Sequence, residues 1–294
     1  MYIGELISIG TALCWTITVV SFEFAGKRVG SLSVNFIRLI MGFVFLGFIL
    51  LAFGDGFIPL SMSNTAWSWL FLSGIIGLFI GDMFLFQAFV DVGGRISLLI
   101  MSMVPVISTI LGYFFFEEVL SVLEFIGMAI TLSAIAIAIL LKKPKRERFH
   151  PHMVRGIMFA FIGAIAQAIG LVFSKIGMGE GSAFAATQIR IIAATIGFLL
   201  VLSWRKTWPD VGRATRNTSA MVFLAIGALF GPVLGVSSSL WALQYTEMGI
   251  ATTIAQTNVI MIIPFSIMFF KEEVSYKEVL ASVVAFMGVA LLFI

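Results

Sequence analysis

The sequence predicts an all-α membrane protein of ten transmembrane helices, built as two inverted five-helix repeats. Three observations predict it. Ten apolar runs are each long enough to cross a bilayer. Basic residues gather in alternate loops. The second half repeats landmarks of the first after an odd number of helices. The composition agrees: of 294 residues, 60% are hydrophobic and 11% are charged. A soluble domain usually carries about a quarter charged residues. So much apolar surface calls for lipid as its solvent.

The expected spans are 4–25, 34–53, 67–87, 96–116, 122–141, 155–175, 184–203, 219–243, 250–270 and 276–294. The first run is read as a helix and not a cleavable leader. It has no basic segment before it, no small-residue cleavage site, and it is long. Later runs end at Gly, Pro, Asp or charge, as at Gly54-Asp55-Gly56 and Trp208-Pro209-Asp210. The runs are continuously apolar and not alternating, which argues against a β-barrel. Between the fifth and sixth runs lies Lys142–Arg155, with six basic residues and with Pro144 and Pro151 to interrupt a helix. It divides the chain into a first repeat, 1–141, a linker, 142–154, and a second repeat, 155–294.

Charge sets the orientation. The loops after the first, third, fifth, seventh and ninth helices hold Lys27 and Arg28, Arg95, the six linker residues, Arg205, Lys206, Arg213 and Arg216, and Lys271 and Lys277. The other four loops hold Lys175 alone. Arg38 and Arg190 lie within helices. Positive charge stays cytoplasmic, so the linker is expected inside and both termini outside. The net charge of +3 is small, and no nucleic-acid partner is read from it. The one cysteine, Cys14, excludes a disulfide within the chain.

The repeat holds its register. A shift from Gly4 to Gly156 also carries Ile37-Arg38 onto Ile189-Arg190. A shift longer by two carries Gly77, Gly81 and Ala88 onto Gly231, Gly235 and Ala242. It also carries Phe115-Phe116 and Glu118 onto Phe269-Phe270 and Glu272, and Ser121 and Glu124 onto Ser275 and Glu278. Five helices per copy force the second copy upside down, a plan used by secondary transporters with a site at the repeat interface.

These residues resemble the drug/metabolite transporter superfamily, EamA type. The resemblance rests on Ala-Leu-Cys-Trp at 12–15, the openings ending at Arg38 and Arg190, Ser-Leu-Leu at 97–99 before Pro105, the helix-end Glu118 and Glu272, and Gly81-Asp82-Met83-Phe84-Leu85-Phe86-Gln87-Ala88. The second copy departs from the first at Gln167, Val259 and Val236, which stand where Trp15, Pro105 and Asp82 stand. The resemblance implies carriage of small organic metabolites, amino acids or drug-like compounds among them, often as export, from a prokaryotic inner membrane.

Polar groups in hydrocarbon are expensive unless they face a cavity or a partner. Trp15 and Thr18 share a stripe on the first helix; Gln167 takes the matching place on the sixth. Trp241 and Tyr245 share a face of the eighth. Thr252 and Gln256 mark the ninth, and Ser102 the fourth. Together they are read as the lining of a central substrate cavity. The plainer reading of the hydroxyl residues is close helix packing. Asp82, the acid deepest within a span, is the coupling candidate, for a proton or a cationic group. Its alternative is a structural partner to a helix end or to Gln87. Arg38 and Arg190 are expected to snorkel to headgroups or bind loop carbonyls. His150 and His152 have no further ligands nearby, so no metal is expected.

A secondary transporter of small metabolites leads. A lipid or lipid-linked-sugar translocase on the same scaffold is the alternative. No Ser/His/Asp set, metal cluster or phosphate-cradling loop supports an enzyme, and no cofactor is expected. Fused halves make a monomer sufficient.

Overall fold

The computed structural model describes residues 2–54, 56–141, 152–262 and 276–294. Most of the basic linker, and the stretch carrying Phe269, Phe270, Lys271, Glu272 and Ser275, lie outside these residues. Among the described residues the fold is helical, without strands.

Among the described residues eight helices are long and apolar enough to cross a membrane: α1 (Ile3–Val29), α2 (Ser31–Phe53), α3 (Asn64–Ala88), α4 (Ile96–Phe116), α5 (Val122–Leu141), α6 (Met153–Met178), α7 (Ala183–Arg205) and α8 (Thr218–Ala242). Two shorter apolar helices follow, α9 (Met248–Ile262) and α10 (Tyr276–Leu291). A short helix, Trp208–Ala214, lies between α7 and α8.

Local chemistry sets many boundaries. Gly54 closes α2 at φ +90°, a left-handed conformation that favours glycine. Ser63 caps α3 by accepting from Ala66 N, and Asn217 caps α8 by accepting from Ala220 N. These caps occupy equivalent places in the two repeats. Between α3 and α4 the boundary is less sharp than the sequence suggests, because helical geometry continues from Gly81 to Met101. The chain nonetheless turns back. Val92 lies against Gly156, while Ile100 packs with Ala88 and Ala160.

The inverted repeat is visible in the packing. α1 lies along α8 and α9, and α6 lies along α3 and α4. Helix α2 meets α7, and α5 meets α10. Matching places make matching contacts. A Cβ on Gly231 would come 2.9 Å from Thr18, and one on Gly170 would come 2.7 Å from Gly77. A Cβ on Gly235 would come 3.6 Å from Trp15, and one on Gly81 3.2 Å from Gln167. Close approach also permits polar contacts between helices: the Ser73 hydroxyl donates to Gly170 O at 2.6 Å and lies 2.7 Å from the Ser174 hydroxyl.

Four core helices are irregular, in two equivalent pairs. α3 and α8 widen into π-helical turns at Gly74–Ile80 and Leu229–Gly235, the second containing Pro232. α4 and α9 break at Ser102–Met103 and Gln256–Thr257. Ser102 bonds Leu99 O at 2.6 Å at the first break, and Thr257 bonds Ile254 O at 2.6 Å at the second.

The two ends of the bundle differ. At the end bearing the termini, one apolar cluster joins α3, α6, α7, α8 and α9 through Leu70, Val172, Ile189, Leu240 and Met248. At the linker end the core divides. Phe22, Ile37, Phe198 and Leu224 bind α1, α2, α7 and α8 together, while Ala88, Ile100 and Ala160 bind α3, α4 and α6.

Candidate functional site

The divided core leaves a crevice of about 340 Å³ at the linker end. Its walls come from both sides of the division: Ser31, Leu32 and Asn35 of α2, Phe198 and Arg205 of α7, Met83, Phe84, Phe86 and Gln87 of α3, and Arg155 and Phe159 of α6. The aromatic rings of Phe84 and Phe159 lie 5.0 Å apart. Asn35 is buried, and its Oδ1 has no hydrogen-bond partner among the described residues. The lining is thus aromatic with a few polar groups, as in small-molecule sites, whose volumes run roughly 300–1,000 Å³.

At the mouth, Asp91 accepts two hydrogen bonds from Arg155, both 2.8 Å, and one from Gln87 at 3.0 Å. The Arg155 bond is the main reason its carboxyl is held below the usual carboxylate range.

Beyond the crevice lies a buried charged centre. The Arg38 side chain of α2 donates to Asp82 of α3 in an ion pair. Phe22 and Phe86 flank the Arg38 guanidinium at 5.4 and 5.7 Å, so Phe86 touches both crevice and centre. Arg190 of α7 approaches from the other repeat. Its terminal nitrogen would be 3.3 Å from a Cβ at Gly77, and its carbonyl would collide with one at Gly74. Arg38, Asp82 and Arg190 are 7, 7 and 4% exposed. Among the described residues the centre therefore holds one positive charge in excess. The Nε atoms of Arg38 and Arg190 have no hydrogen-bond partners among the described residues.

This corrects the expectation for both arginines. Each is interior and neither reaches headgroups. The signals were present: the two are repeat equivalents, they approach the middle from opposite ends, and a buried acid calls for a countercharge. Gln87, considered as a partner for Asp82, bonds Asp91 instead.

The residues proposed as a cavity lining divide among several places. Trp15 is half-buried and Thr18 buried at the α1–α8 contact. Gln167 is half-buried at the α6–α3 contact. Ser102 and Gln256 sit on the equivalent breaks of α4 and α9. Thr252 donates to Met248 O on its own helix at 2.6 Å. Trp241 and Tyr245 are 42 and 52% exposed, with ring centres 6.5 Å apart. None of the eight lines the crevice.

A second hollow, about 470 Å³, opens at the other end beside Ser61, Ser63, Thr65 and the α6–α7 turn. It is larger, but its lining includes no charged side chain. The end around it is fastened. Glu118 accepts from Lys175 Nζ at 2.5 Å and from Met248 N at 2.8 Å. Thr246 donates to Glu5 at 2.8 Å, and Gln244 to Gly179 O and Gly181 O at 3.1 and 2.9 Å.

Comparison with known proteins agrees with this architecture. One crystal structure of a protein superposes with a TM-score of 0.78, over 98% of this chain and 94% of its own. At 17% identity that likeness is one of fold. No curated protein matches. A family model matches twice, over residues 2–140 and 154–294, and by that match the chain belongs to the EamA-like transporter family.

Proposed function

We propose that the protein is a secondary carrier of small amphipathic organic metabolites, working by alternating access and loading for export at the linker end. The observation that carries this reading is the asymmetry of the two ends. A crevice enters between two helix groups at one end, while a single apolar cluster and the bonds from Gln244 to Gly179 O and Gly181 O join the groups at the other. Exchanging which end is joined would expose the middle to the opposite side. The linker end is assigned to the cytoplasm from the distribution of basic residues, in a prokaryotic inner membrane, with a monomer as the working unit.

In this reading the irregular helices are the moving parts. Ser102 and Gln256 sit where α4 and α9 break, and Trp15, Thr18 and Gln167 sit where α1 and α6 cross the π-helical helices. Thr252, Trp241 and Tyr245 extend this lining toward the terminal end. Such residues would meet the substrate as it moves beyond the crevice. Asp82 is assigned the coupling role, with the proton as coupling ion. Its ion pair with Arg38 links helices on the two sides of the divided core, and protonation would release it.

The test is transport by the purified protein in proteoliposomes across a pH gradient, with substrates found by thermal-shift screening. The double variant Arg38→Gln/Asp82→Asn is the informative one, because it keeps the parent's single excess positive charge. It is expected to retain substrate binding and to lose pH-dependent transport at least tenfold. Parental transport with parental pH dependence would remove Asp82 from the coupling role.

A further inference from the structure

We infer that the buried charged centre is an anion subsite, and that the solute entering the crevice is an organic acid whose carboxylate binds Arg190. The inference rests on the carrier reading and names its substrate class. Three observations point to it.

The first is charge. Two buried guanidinium groups face one carboxylate, so a positive charge remains in a setting where an uncompensated ion is costly. One added monoanion would neutralise it; a neutral or cationic solute would not. The second is unused donor capacity. Arg38 is engaged with Asp82, yet among the described residues its Nε is unpartnered, and so is the Nε of Arg190. A guanidinium edge presents two parallel N–H groups, a match to a carboxylate. The terminal nitrogen of Arg190 comes close to Gly77, where a Cβ would stand 3.3 Å from it.

The third is connection. Phe86 lies in the crevice wall and 5.7 Å from the Arg38 guanidinium. Asn35, also in the wall, lies about one turn before Arg38 on α2. An amphipathic acid can therefore place its apolar body against Phe84, Phe86, Phe159 and Phe198 while its carboxylate reaches the arginines. Arg205 at the mouth adds attraction for an anion from solution.

The test uses the full chain in neutral detergent at pH 7 and three probes alike in body but not in head group: 3-phenylpropionate, 3-phenylpropionamide and 3-phenylpropylamine. The carboxylate is expected to raise Tm in a saturable manner, with at least tenfold tighter apparent binding than the amide and no response to the amine. Arg190→Gln should abolish that preference, and Arg190→Lys should keep part of it. Equal stabilisation by acid and amide, no stabilisation by any probe, or a preference that survives Arg190→Gln would each overturn the inference. Should Arg190→Gln not fold, the probe series on the parent protein decides alone. Carrier function is judged separately, by flux into proteoliposomes. Transport of neutral solutes without acid preference would leave the carrier standing and remove the anion subsite. Acid-selective binding without flux would do the reverse.

Discussion

Asp82 and Arg38 show how a membrane interior changes the meaning of single residues. A buried ion pair is not in itself a source of stability, because two desolvated charges must regain by attraction what they lost from water. Removing one partner is the severe change. Asp82→Asn leaves both arginines uncompensated and should destabilise the protein by about 3–5 kcal/mol. The double variant Arg38→Gln/Asp82→Asn should recover much of that loss, and thermal melting of the two in detergent checks the ordering. Asp91, between the spans, gives a pH test. Its folded carboxyl is held below the unfolded value by Arg155, so its stabilisation is present above the unfolded value of about 4. It is lost as pH falls through the still lower folded value. The Tm gap between the parent and Asp91→Asn should therefore be open at pH 7 and close below about pH 4. A gap independent of pH would contradict the assignment. The sequence showed Asp82 as an isolated acid but not its partner, because Arg38 and Arg190 lie near helix starts. Depth in the membrane depends on how the helices are set, which spacing alone does not give.

Helices were more legible than residues. Apolar length, basic-residue sorting and the internal repeat located the helices and the arrangement of two halves, because each is a property of a whole segment. The irregularities were less legible. Pro232 is a mark of irregularity in α8 that the sequence carries openly, but nothing marks the matching π-helical turns of α3, and nothing marks Gln256 as a break equivalent to Ser102. Those features come from packing between helices. Glycine crossings expose that packing to test. A methyl at Gly74 meets the backbone carbonyl of Arg190, which cannot rotate away, whereas one at Gly10 meets nothing within 4 Å. Gly74→Ala should cost about 1–3 kcal/mol of stability. Gly10→Ala should be neutral or slightly stabilising, since alanine favours the helix. Similar melting temperatures for the two would show that α3 and α7 are not in the contact described.

At the scale of the whole molecule the two ends differ, one holding the crevice and the other joined by an apolar cluster. Lys175 was the lone basic residue among the loops of the terminal end, and its partner proved to be Glu118, which also holds the start of α9. The sequence marks Glu118 as a helix-end glutamate but not what it holds, because the lysine and the backbone N–H that it joins are far away in the chain. Glu118→Gln should loosen that end and raise modification of a cysteine at Ser182 severalfold over the same cysteine in the parent. The central claim is that solutes enter between the helix groups at the linker end. The most direct test replaces Gln87 in the crevice wall with cysteine, in a Cys14→Ser background, and follows its reaction with an impermeant maleimide from each side of the membrane. Inside-out vesicles should label, a bound solute should slow that labelling, and intact cells without substrate should not label. Labelling from the outside, or labelling from the inside that a transported solute does not affect, would contradict the account.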